Sequence, residues 1–174
     1  IDGKAVTGFE SSRVRALLCL LAAEAPRPQF RESLAELLWP GWPRQSAMSN
    51  LRGALADLRK NLGDREAQAP TLLISRETIQ FNLEGEAWVD TVAFLQTGEA
   101  GLYRGPFLEG FGLADSPGFT EWLLNKRAYY QQQVLAGLGK QAERCEQAGQ
   151  FEQGLAAARR QLEPPRPGPG NHRR

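Results

Sequence analysis

Helical segments, a hairpin whose apolar residues alternate around a polar tip, and then helices up to a proline-rich end predict a mainly α chain with a small β part. In the first half, three helices precede the hairpin, which is the order of a winged helix-turn-helix domain. The second half reads as an all-α helical-repeat domain. The change of character falls at "WVD", so the expected domains are 1–88 and 89–163. Residues 164–174, "PPRPGPGNHRR", are too rich in proline and glycine for a helix and are expected to form a disordered tail.

The elements follow in order. "IDGKAVTGF" reads as a hairpin or strand pair with Asp2-Gly3 as turn. Its first strand needs residues before Ile1, so the sequence is expected to be a piece of a longer protein. The next segment is a helix, with Ser11 or Ser12 as N-cap, a stripe of Val14, Leu17, Leu18 and Leu21, and a stop at Pro26 and Pro28. A short helix over about 31–38 turns Leu34, Leu37 and Leu38 inward and ends at Pro40-Gly41. A third helix begins near Arg44 and ends at Gly63, a residue suited to the left-handed position after a helix. Leu72, Ile74, Ile79, Phe81 and Leu83 then alternate around "SRET", placing Arg76 at or near a hairpin tip.

Beyond this point, Asp90 can cap a helix that runs to Gly98, and a glycine- and aromatic-rich loop follows. A long helix starts near Phe119, and Gly137 and Gly139 mark close packing or a break within it. Gly149-Gln150 is a tight turn into a last helix, on which Leu155 and Leu162 call for a further neighbour. Trp39 and Trp42 are expected in the core or packed on their turn. Trp88, Trp122, Tyr129 and Tyr130 are expected to pack helices together, with Phe107 and Phe111 pinning the loop.

The third helix has an unusual outer face. Ala47, Leu51, Leu55, Leu58 and Leu62 form its apolar stripe, and at 100° per residue the opposite side carries Ser46, Ser49, Gly53, Ala56 and Lys60, flanked by Asn50 and Arg52. Gly53 weakens an exposed helix by roughly 1 kcal/mol relative to alanine. A helix that enters the major groove has use for such a face. Small residues let its axis approach the bases, short polar groups read or position, and basic groups hold phosphates. On this reading Gly53 and Ala56 permit approach, Arg44, Ser46, Ser49, Asn50, Arg52 and Lys60 make contacts, and Arg76 reaches the adjacent minor groove or its phosphates. The same pattern also fits an ordinary solvated helix with an incidental glycine, and periodicity does not choose between the two.

Other chemistry finds little support. The single histidine is His172, in the tail, so a nucleophile–histidine arrangement lacks an ordered base. No P-loop or dinucleotide fingerprint is present, and two distant cysteines with a tail histidine match no metal spacing. Glu32 and Glu36 lie four apart, as on a solvated helix face. The expectation is a non-enzyme without cofactor or metal. Cys19 and Cys145 read as free thiols of a reducing compartment. No apolar run approaches the roughly 18 residues of a membrane span. No signal peptide stands at the start as given, and a cytoplasmic location without membrane contact is expected. Net charge is +1, so a basic patch must be local.

The stretches "RALLCLLA", "RESLAELLWP", "NLRGALADLRKNLGD", "LLISRETIQFN" and "WVD", in this order, resemble the winged helix of bacterial transcriptional activator domain regulators, which include the antibiotic regulatory proteins. "LYRGPFLEGF", "FTEWLLNKRAYY" and "AGQFEQGLAAARRQL" resemble the activator domain itself, whose fold is similar to tetratricopeptide repeats. The resemblance covers roughly residues 3–163. It implies sequence-specific binding of double-stranded DNA through residues 44–62 and the wing around Arg76. It further implies that the helical half serves dimerisation, docking to other domains or contact with the transcription machinery. The family's first strand is missing from the chain. The alternative is a protein-interaction module of a multidomain signalling ATPase with little DNA affinity, which the near-neutral net charge favours.

Overall fold

The computed structural model describes residues 8–64, 67–85 and 87–162. It is mainly helical with one small antiparallel sheet. The chain divides into two compact units: one runs to Val89 and includes Gly112–Thr120, and the other comprises Asp90–Phe111 and the chain from Glu121 onward.

In the first unit, α1 (Ser12–Ala23) starts where Ser11, in extended conformation, accepts the Val14 amide at 3.3 Å. Its buried stripe is Val14, Ala16, Leu17, Leu20 and Leu21, with Leu18 only half-buried. Strand β1 (Gln29–Phe30) precedes α2 (Arg31–Leu38), which buries Leu34, Ala35 and Leu38 and half-buries Leu37. Helix α3 (Arg44–Asn61) buries Ala47, Leu51, Ala54, Leu55 and Leu58. Each leucine taken fully out of water contributes about 1.5–3 kcal/mol, and this is what holds so polar a helix in place.

The hairpin is β2 (Leu72–Ile74) and β3 (Thr78–Phe81), joined at Ser75–Glu77 with Arg76 in the turn. The sheet order is β1-β3-β2, with Gln29 opposite Ile79 and Ile74 opposite the same residue on the other side. Strand β1 was not foreseen: two residues after a proline carry no alternation to detect. The N-terminal hairpin expected from "IDGKAVTGF" lies largely outside the described residues, and Gly8 and Phe9 belong to no strand.

Trp39 is in the core, with the Arg13 guanidinium 5.9 Å from its ring centroid. Trp42, expected to pack, is 55% exposed: Gly41, at φ +76°, reverses the chain after α2, and Trp39 alone takes the interior position. Trp88 is also exposed, in the loop before Asp90, so it packs no helices.

In the second unit, α4 (Asp90–Thr97) has the Asp90 carboxylate accepting the Thr91 amide at 2.7 Å and stops at Gly98, φ +70°. A short 3-10 turn (Ala100–Leu102) leads into the loop. Helix α5 (Pro117–Gln147) starts two residues earlier than the sequence suggested. Ser116 accepts the Phe119 amide at 3.2 Å and Pro117 occupies the first helical position, where its missing N–H costs nothing. The helix runs unbroken through Gly137.

At its end Gly149, φ +71°, forms a two-bond cap, with its own amide on the Glu146 carbonyl and the Gln150 amide on that of Cys145. Helix α6 (Phe151–Leu162) then packs back so closely that a Cβ on Gly154 would lie 3.2 Å from Cys145 Cβ. Phe94, Ala100, Tyr130, Val134, Leu138 and Ala157 form the core, with Tyr103 and Phe107 against it. Tyr129, one position off that stripe, is exposed. Leu155 is exposed as well, and the Leu162 side chain and the 164–174 tail lie outside the described residues.

Candidate nucleic-acid interface

Helix α3 carries eight of the nine residues singled out above, and the β2–β3 hairpin carries the ninth. Ser49, Arg52, Gly53, Ala56 and Lys60 are exposed, and Ser46 and Asn50 are half-buried at the edge of the face. With a rise of 1.5 Å per residue, the strip from Ser46 to Lys60 is about 21 Å long. Gly53 is not demanded by the fold: no atom lies within 4 Å of where its Cβ would stand. The helix therefore gives up stability at this position without any intramolecular return.

Charge on this helix is redistributed by pairing. Arg44 pairs with Glu32 of α2 through two exposed side chains. Arg59 lies 3.4 Å from the fully buried Asp64 carboxylate and is likewise compensated. Asp57 is buried and accepts the Glu10 amide at 3.1 Å and the Asn61 side chain at 2.8 Å. Among the described residues, Arg52, Lys60 and Arg76 have no carboxylate partner. The face is thus locally positive in a chain whose net charge is only +1.

The start of α3 is open too. Pro43 provides no side-chain cap, and no acidic residue stands in the first turn. The first amides of a helix carry partial positive charge and favour an anion.

Two residues that sequence reasoning passed over fix the β2–β3 hairpin. Asp64 accepts the backbone amides of Thr71 and Leu72, the latter at 3.2 Å, and so ties the end of α3 to the start of β2. Just before it, Gly63 at φ +66° closes α3 with a two-bond cap, its amide on the Lys60 carbonyl and the Asp64 amide on that of Arg59. The signal was the aspartate directly after the capping glycine. Arg31, at the start of α2, donates its amide to the Glu77 carbonyl at 2.8 Å and its guanidinium to the Ser75 carbonyl at 3.2 Å. It holds the turn that presents Arg76. The Ser75 hydroxyl accepts the amides of Glu77 and Thr78 and completes that turn.

Among the described residues no three His, Cys, Asp or Glu side chains are grouped to hold a metal ion, and no helix is long and apolar enough to cross a membrane. Comparison of the chain with family models, with curated proteins and with solved structures finds no match.

Proposed function

We propose that this chain is the DNA-reading part of a transcriptional regulator of the bacterial transcriptional activator domain type. On this reading the first unit is a winged helix. Helix α3 lies in the major groove with Ser49, Arg52 and Gly53 toward the bases, and Arg76 on the wing meets the neighbouring minor groove or its phosphates. The α5–α6 pair, closed by Gly149 and packed tightly at Gly154, is a tetratricopeptide-like unit that holds partner domains or the transcription machinery.

The observation that carries the reading is Gly53. It is a costly residue in the middle of an exposed helix face, has open space around it, and lies beside Arg52, which has no carboxylate partner among the described residues. A partner that must come close to the helix backbone explains all three.

The test is selection of bound duplexes from a random library at about 50 and 150 mM salt. An enriched motif is expected. Arg52→Ala should blur it at a cost of about 1–3 kcal/mol, and Arg76→Ala should weaken binding. Phosphate contacts by Lys60 and Arg76 predict roughly a 7-fold loss of affinity between the two salt concentrations. A second reading, an interaction module with little DNA affinity, has the exposed Trp42, Phe151 and Leu155 in its favour. Absence of any enriched motif would select it.

A further inference from the structure

The helical unit contains a cavity of about 330 Å³ that takes no part in the DNA-reading face. Its walls are aromatic. Phe94 and Tyr130 are buried, Tyr103 and Phe107 half-buried, and ring centroids lie 6.4 Å apart for Phe94–Tyr103 and 5.0 Å apart for Phe107–Tyr130. Asp90, Arg104 and Glu109, all exposed, complete the lining. We propose that this cavity binds a small organic cation, an ammonium group on an apolar body.

The chemistry follows from the lining. Aromatic faces carry negative potential and attract a cation that has shed its water. Among the lining residues two carboxylates stand against one guanidinium, which suits a cation over an anion. The volume lies at the small end of ligand pockets, which are mostly apolar with a few fixed polar groups.

The wall is held in shape before any ligand arrives. Arg127 donates to the carbonyls of Phe107 and Leu108 at 2.8 and 2.7 Å, and Leu108 sits in the left-handed region at φ +49°. A loop fixed in a conformation unfavourable to leucine is kept from relaxing into the space it borders. Burial, and then the charge of Glu109, push the Tyr103 phenol above its usual value.

The test uses the whole chain and three probes: benzyltrimethylammonium, phenylacetate and benzyl alcohol, followed by calorimetry and amide NMR shifts. The cation should bind about tenfold tighter than either other probe and shift amides within 90–109 and near Tyr130. Glu109→Gln and Tyr103→Leu should each weaken it several-fold with the circular dichroism unchanged, and if Tyr103→Leu perturbs the fold, Glu109→Gln decides. Equal affinity for the three probes, preference for phenylacetate, or no saturable shift at about 10 mM cation would overturn the proposal.

Discussion

Asp64 occupies the joint between α3 and the wing. Its carboxylate is buried, receives two backbone amides of the strand entry and faces Arg59. Asp64→Ala would strand those amides and leave the guanidinium without its counter-charge. We expect a loss of about 2–4 kcal/mol in urea unfolding and, on the proposed reading, weaker DNA binding because the hairpin is no longer set against the helix end. Gly53 stands at the opposite extreme, surrounded by open space. Gly53→Ala should raise stability by about 0.5–1 kcal/mol, through helix propensity alone. The two residues were unequally legible. Gly53 announces itself by breaking the pattern of an amphipathic helix, whereas Asp64 looks like one more surface charge until the fold places two amides beside it.

Elements with strong periodicity and explicit stop signals were legible in the sequence. Helix α2 has the limits its leucines and Pro40-Gly41 suggested, and Gly63 and Gly149 cap α3 and α5 in the left-handed conformation. What escaped was short or set by tertiary contacts: the two-residue β1, the outward Trp42, and the pairing of Arg44 with Glu32. The two mid-helix glycines of α3 and α6 make a test at this scale. Gly154 faces Cys145 Cβ at 3.2 Å and the Ala142 carbonyl at 3.4 Å from its would-be Cβ, so a side chain there must push the helices apart. Gly154→Val should destabilise the helical pair by about 1–3 kcal/mol in thermal unfolding. An equal response at positions 53 and 154 would mean that packing does not distinguish the two glycines.

At the scale of the whole molecule, ion pairs among the described residues engage Arg13, Arg27, Arg44 and Arg59. Arg13 hydrogen-bonds both the Leu38 carbonyl, at 2.7 Å, and the Asp115 carboxylate, and the latter bond holds the Asp115 carboxyl below its usual value. A carboxyl more acidic when folded than when unfolded favours the fold above about pH 4, and the benefit is lost as pH falls through the folded value. Asp115→Asn should therefore lower stability slightly at neutral pH and flatten the acid limb of the stability–pH curve. The exposed position of the pair keeps the effect small.

The central claim is that the outer face of α3 meets DNA at close range. The measurement that tests it most directly pairs thermal unfolding with duplex affinity for Gly53→Leu, using the duplex enriched by selection. Leucine is a good helix former in open space, so the melting temperature should rise while affinity falls by tenfold or more. A protein that is more stable and binds the duplex unchanged would contradict the account, because no base or phosphate could then lie against that face.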